Sequence, residues 1–467
     1  MNLDHIRKME PGRALRALMC AFTVAFLIAG LCAPDRSEML SGLGRICTVP
    51  AQLTRDYFKP ELGSISGAML NSFLVGTVFC VLMFLPGAKV TGVTVLGFFL
   101  TLGFCTFGIN ILNIIPFIIG VYVYSLIKRQ PFSRFVNFAM FCTGLAPLIT
   151  QVLFYYPVMG EAAHLTLLGV ALALVIGVLV GCFMPTLCAH SQSFHKGYNF
   201  FNAGPAAGFL CFLIYAMLYR TLGVEAPPLG ADLGEGNRLF ANAFFIAVFG
   251  LCVVAGLVIN GGLGDYGKLF FDSGYKSDFT EKYSLGSNVM NIGVYGLFIL
   301  LYYNLVGAKF TGPTMGVVIC MMCCACNGAT VWNVFPVMLG YTAMGLLNRA
   351  GITSSAINAQ GLVVGLCFAS GLAPISGEYG IVAGIVAGIL HYCLVTGVPV
   401  IHGGFNLYNG GFTSGIVCFI YVPILEHYFK SKSQKKREKG TGTSSARKTV
   451  RWTVFSEMGP AGPKEQE

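Results

Sequence analysis

Apolar residues fill stretches near 15–33, 66–86, 90–107, 110–127, 134–156, 163–186 and 199–220. They do so again near 238–260, 284–306, 310–326, 329–347, 356–376, 379–400 and 407–428. The polar connections are short except at 34–65, 221–237 and 261–283. About 20 apolar residues in a helix cross the hydrocarbon core of a bilayer. A lipid-exposed backbone satisfies its own polar groups best as a helix. The pattern therefore predicts an all-α, polytopic membrane protein with about 12–14 transmembrane segments. Two segments are weaker, around Gly144-Leu-Ala-Pro147 and Gly371-Leu-Ala-Pro374. In the second, only 361–374 is strongly apolar, behind Thr353, Ser354, Ser355, Asn358 and Gln360. Proline with glycine beside it breaks a helix, so Pro147 and Pro374 mark helix breaks in broken or re-entrant segments.

The pattern repeats. Asn71 matches Asn291, Gly87-Ala-Lys-Val-Thr-Gly92 matches Gly307-Ala-Lys-Phe-Thr-Gly312, and Asn113-Ile-Ile-Pro-Phe-Ile-Ile-Gly120 matches Asn333-Val-Phe-Pro-Val-Met-Leu-Gly340, all offset by 220. The Gly-Leu-Ala-Pro pair is offset by 227. His195-Lys-Gly-Tyr-Asn-Phe-Phe-Asn-Ala-Gly204 returns 207 residues later as His402-Gly-Gly-Phe-Asn-Leu-Tyr-Asn-Gly-Gly411. The loop around Arg55-Asp-Tyr-Phe58 pairs with the one after 238–260. Two tandem homologous halves follow, 10–222 and 235–430, with a basic, disordered cytoplasmic tail over 431–467. An odd number of spans per half inverts the second half, and an even number leaves it parallel. Lys and Arg divide in the same way under both. We expect the inverted form, which many transporters use.

Composition agrees with the pattern. Hydrophobic residues make up 55% and charged residues 11%, with a mean hydropathy of +0.71, against roughly a quarter charged in soluble chains. The net charge of +10 is concentrated at the end: from Lys430 onward ten Lys and Arg face four acids. Such a tail reads as a cytoplasmic topology anchor rather than a nucleic-acid site. Arg7, Lys8, Arg13 and Arg16 precede the apolar stretch 17–31, which reads as an uncleaved first span. The 17 cysteines lie mostly inside apolar runs, where a thiol behaves as a small hydrophobe. Cys323-Cys324-Ala-Cys326 lacks a second ligand pair. Neither a metal nor another cofactor is expected.

Polar residues at repeated positions are the candidates for function. Asn113 with Pro116, and Asn333 with Pro336, either satisfy the backbone of a proline-bearing helix or break it where a substrate passes. His195, Asn199, Asn202 and His402, Asn406, Asn409 open the last apolar segment of each half. They either cap those helices or line a route with amides that donate and accept without charge. Lys89 and Lys309 either snorkel to the interface or mark a charge path. Glu378 is a loop carboxylate or a proton carrier.

No catalytic motif is present. The Asn-Ile-Ile-Pro-Phe-Ile-Ile-Gly, Thr-Gly-Leu-Ala-Pro and His-Gly-Gly-Phe-Asn-Leu-Tyr-Asn-Gly-Gly-Phe motifs resemble a bacterial family of multi-pass membrane proteins defined as a domain of unknown function. The resemblance covers about 10–430 and implies a protein of the inner (plasma) membrane, with both termini cytoplasmic on the topology above. The duplicated halves also resemble, more loosely, urea-transporter-like channels, without their Leu-Pro-x-x-Thr-x-Pro-Phe signature. The expected function is a transporter or channel for a small solute, its partners being that solute and the lipid bilayer. The alternative is a non-transporting membrane protein, either a lipid-modifying enzyme or a scaffold.

Overall fold

The computed structural model describes residues 9–50, 52–53, 55–157, 162–230 and 232–440. Arg7 and Lys8 and most of the basic tail, 441–467, lie outside the described residues. The first half consists of α1 (Pro11–Leu31), the short α2 (Met39–Thr48), α3 (Ile65–Met83), α4 (Gly92–Phe104), α5 (Ile115–Ile127), α6 (Val136–Cys142), α7 (Ala146–Tyr155), α8 (Leu167–His195) and α9 (Ala203–Tyr215). The second repeats this order as α10 (Arg238–Asn260), α11 (Tyr266–Phe270), α12 (Leu285–Leu305), α13 (Gly312–Ala325), α14 (Val331–Arg349), α15 (Gln360–Ala369), α16 (Ala373–Tyr379), α17 (Ile381–Val395) and α18 (Asn409–Tyr428). Among the described residues nine helical stretches are long and apolar enough to cross a membrane, and α4, α5, α13 and α17 are shorter apolar helices. The chain is a polytopic helical membrane protein.

The repeat extends to local capping. Ser64 accepts from Gly67 N–H to start α3, and Ser284, 220 residues later, accepts from Ser287 N–H to start α12. Asn71 in α3 donates to Cys105 O (2.9 Å) and Ile109 O (2.8 Å). Asn291 in α12 does the same to Ala325 O (2.9 Å) and Ala329 O (2.8 Å). Each amide ties down the irregular chain after α4 or α13, where carbonyls have no helical partner and no water. Asn71→Ala and Asn291→Ala should each cost about 2–3 kcal/mol, since two buried carbonyls lose their donor. Chemical denaturation in mixed micelles measures this, and wild-type stability would rule out the tether.

The relation between the halves can be read from α4 and α13. Leu100 O faces Cys320 Sγ (3.7 Å), Thr106 Oγ1 donates to Gly312 O (2.7 Å), and a Cβ on Gly103 would stand 2.3 Å from Gly316 O. As one number rises the other falls, so the two helices are antiparallel. Leu100 and Cys320 are themselves equivalents, 220 apart. The pseudo-twofold axis thus passes between them, perpendicular to both helices. Small residues permit the approach: a Cβ on Gly316 would stand 2.3 Å from Gly103 O.

With α14 added to the nine long stretches and the four shorter helices, the described residues make seven passes per half, and the odd number carries this inversion. At one end Arg16 bonds Met83 O and Ala88 O, Gly92 meets Asp278, and Lys196 pairs with Glu426. At the other, Tyr155 bonds Thr48 O, Gln52 bonds Gly403 O, and Arg55 pairs with Asp232. The first and last helices therefore begin and finish at the same end.

The Gly-Leu-Ala-Pro segments run from one end of the bundle to the other rather than re-enter, and they are the most buried of the nine long stretches, at 89% in each half. Their breaks are the 3-10 turns Thr143–Leu145 and Ser370–Leu372. Pro147 and Pro374 sit in the first turn of the half-helix that follows, where the missing N–H costs nothing. The stretch expected to be a wholly disordered tail begins with a helix, α19 (Lys432–Gly440).

Candidate functional site

The two His-Asn motifs meet the two helix breaks, each on the other half. Phe200 N–H donates to Gly371 O (3.1 Å), and Leu407 N–H donates to Gly144 O (2.8 Å). Gly371 and Gly144 admit these loops because they have no side chain. A Cβ on Gly371 would stand 2.5 Å from the Phe201 ring, and one on Gly144 2.1 Å from the Tyr408 ring.

Within each motif the same bonds recur. Asn199 Oδ1 accepts from Phe201 N–H and Asn406 Oδ1 from Tyr408 N–H, both at 3.0 Å, an Asx turn that shapes the loop. His195 Nε2 lies 2.6 Å from Asn202 Oδ1, and His402 Nε2 lies 3.0 Å from Asn409 Oδ1. Gly197 N–H donates to His195 Nδ1 (3.2 Å), which places the ring proton on Nε2 and makes Asn202 Oδ1 its acceptor.

The copies then diverge. Asn409 Nδ2 donates to Val395 O (3.0 Å), a carbonyl freed where α17 ends. Its counterpart, Cys188, lies inside α8, where the helix's own ladder occupies the carbonyl. Asn202 instead lines a cavity of about 30 Å³, room for roughly two waters. Gln192, His195, Asn199, Lys276 and Asn327 supply the rest of its polar lining. Gln192 and Lys276 also line a more open vestibule of about 490 Å³ that bears Lys196, Tyr275 and Glu426. At the opposite end Asn409 borders a mostly apolar recess of about 360 Å³ with Leu53, Val364, Val395 and Pro399. Between the mouths the buried rings of Phe104, Phe201, Phe368 and Tyr408 pack at 5.3–6.0 Å between centres, Phe104 stacked on Phe368 and edge-on to Tyr408.

The other candidates lie elsewhere. The Asn-x-x-Pro pairs were expected to break helices, and they lie in or just before the first two turns of unbroken ones instead. Pro116 is in the first turn of α5, and Pro336 sits inside an unbroken α14. Asn113 spends its amide on Gly108 O and Thr150 Oγ1, Asn333 on Gly328 O and Asp272 O. Each side-chain oxygen accepts from the N–H three residues earlier, so these residues fix connections. Lys89 and Lys309 are exposed, and Lys309 pairs with Glu235 (2.9 Å). Glu378 is buried and accepts from Ser433 N–H (2.8 Å). Among the described residues no group of three or more His, Cys, Asp or Glu is placed to hold a metal.

Sequence reasoning missed one pair. Asp56, fully buried, accepts from Phe58 N–H (3.0 Å), Gly234 N–H (2.9 Å) and Gly312 N–H (2.7 Å), the last opening α13 of the other half. Asp278 accepts from Gly92 N–H (3.2 Å), which opens α4, and from Thr280. Burial pushes both carboxyls above their ordinary value, opposed by these same hydrogen bonds. The signal was there: each is an acid followed by an aromatic residue, 222 apart.

No curated protein and no solved structure matches the chain, so the loose likeness to urea-transporter-like channels carries no argument. The profile of one family, described as "Protein of unknown function (DUF1576)", matches residues 35–220 and again 253–427, once in each inverted half. The chain belongs to the DUF1576 family.

Proposed function

We propose that the protein is a transporter or channel that moves a small polar solute across the bacterial inner membrane between its halves, 10–222 and 235–430. The observation that carries this reading is the exchange across the pseudo-twofold axis: each His-Asn mouth is bonded to the helix break of the opposite half. Inverted halves put one mouth at each end of the bundle, which is the geometry of alternating access. The first mouth is open and donor-rich, the second spends its amide on Val395 O, and an aromatic layer lies between them. In the opposite state the halves exchange these conformations, with 188–195 unwinding so that Cys188 O takes the Asn202 amide. His195, Asn199, Asn202, His402, Asn406 and Asn409 line the route, while Asn113, Pro116, Asn333 and Pro336 hold the connections beside it. Pro11 and Tyr428 lie at the same end, which the positive-inside rule, applied to the basic sequence that follows, assigns to the cytoplasm.

Flux of radiolabelled small polar solutes into proteoliposomes tests this. Asn202→Ala should lower saturable uptake about tenfold, the equivalent of one lost hydrogen bond. Undiminished flux in a folded Asn199→Ala/Asn406→Ala protein removes the amides from the route. No flux above protein-free vesicles for any solute removes transport itself.

A further inference from the structure

The last membrane helix, α18, ends at Tyr428, and the chain stays on the protein beyond it. Ser431 is 2% exposed; its hydroxyl accepts from Gln434 N–H (3.1 Å), and Gln434 Oε1 accepts from Ser431 N–H (2.8 Å). This reciprocal cap starts α19. Ser433 N–H, in its first turn, donates to Oε2 of Glu378 on α16, which is 3% exposed. A carboxylate there meets free N–H groups and the positive end of the helix dipole. Nine residues without a single apolar side chain would not hold a helix alone in water. The cap, Glu378 and an exposed Lys430–Glu438 ion pair hold this one.

Glu378 is also beside the open mouth. The hydroxyl of its neighbour Tyr379 bonds Tyr198 OH (3.3 Å), inside the first His-Asn motif. The outer surface of α19 is basic: Lys432, Lys435, Lys436 and Arg437 are exposed. With no apolar face the helix cannot insert into a bilayer, so its attraction to one is electrostatic. It follows a membrane helix within four residues, which keeps it at headgroup level and within a Debye length of lipid charge. We propose that α19 is a docking helix for anionic lipid headgroups, clamped by Glu378 to the mouth that His195 and Asn202 line. Lipid charge thereby acts on the junction between the tail and the mouth.

Backbone hydrogen exchange over 431–437 tests this on the full chain in nanodiscs. The discs are phosphatidylcholine alone, or equal parts phosphatidylcholine and phosphatidylglycerol. Exchange should be about tenfold slower in the anionic discs, from several cations at the surface. The difference should vanish in Lys435→Glu/Lys436→Glu/Arg437→Glu, a surface variant that disturbs no buried contact. Glu378→Gln should speed exchange in both discs. Equal wild-type rates in the two discs, or a difference that survives in the triple variant, overturns lipid docking. Wild-type rates in Glu378→Gln overturn the clamp.

Discussion

Replacing Asp56 with Ala should lower the stability of the bundle by about 3–5 kcal/mol, with unfolding of both halves together. The buried carboxylate accepts three backbone N–H groups drawn from three parts of the chain: its own loop, the linker between halves and the first residue of α13. Hydrogen bonds to a charged group are worth about 1.5–3 kcal/mol each, and an orphaned buried donor costs a further desolvation penalty. Ala leaves all three donors bare, and water entering the gap returns only part of the loss. Asp56→Asn keeps one acceptor oxygen and should lose about half as much. Asp278→Ala should behave likewise but more mildly, because only Gly92 N–H reaches it from the other half. SDS titration into mixed micelles, followed by circular dichroism, gives the ranking Asp56→Ala below Asp278→Ala below wild type. If Asp56→Ala unfolded at the wild-type midpoint, the carboxylate would not be clamping the halves.

That prediction could not have been written from the sequence, for a physical reason. Asp56 finds its partners through the pseudo-twofold axis, and Gly312 is 256 residues away. Local pattern reports which residues enter a bilayer and which are equivalent, because the hydrophobic requirement and the repeat act along the chain. Hence the spans, the paired Asn71 and Asn291 and the two His-Asn motifs were all legible. Pattern does not report what an equivalent residue touches. Asn113 and Asn333 show this: amide next to proline suggested a broken helix, but the amides hold the connections before α5 and α14. The breaks fall at Thr143–Leu145 and Ser370–Leu372, beside Pro147 and Pro374, which the pattern had marked. The apolar stretch expected to end near 186 continues as helix to His195, because Ser191 and His195 are buried against neighbouring elements. Hydropathy marks those residues as polar and stops short.

The second large effect is at Gly144. Gly144→Ala places a methyl 2.1 Å from the Tyr408 ring, a distance no real contact tolerates. Tyr408 is fully buried and packed on Phe104, with ring centres 5.3 Å apart, so it has nowhere to move cheaply. The second motif must lift away from the break, which stretches the Leu407 N–H to Gly144 O bond of 2.8 Å. Overpacking of this kind costs about 1–3 kcal/mol, and the lost bond adds about 1. Gly371→Ala meets the Phe201 ring at 2.5 Å and should be affected in the same sense but less. The diagnostic measurement is a double-mutant cycle. Tyr408→Leu removes the ring that the new methyl strikes, so Gly144→Ala/Tyr408→Leu should be more stable than the sum of the single losses by about 1–2 kcal/mol. The same pairing of Gly371→Ala with Phe201→Leu should show the coupling from the other side of the twofold axis. Strict additivity at both positions would mean that the mouths do not rest on the breaks. A cycle that couples at both would make the two crossings the points where a movement in one half must displace the other.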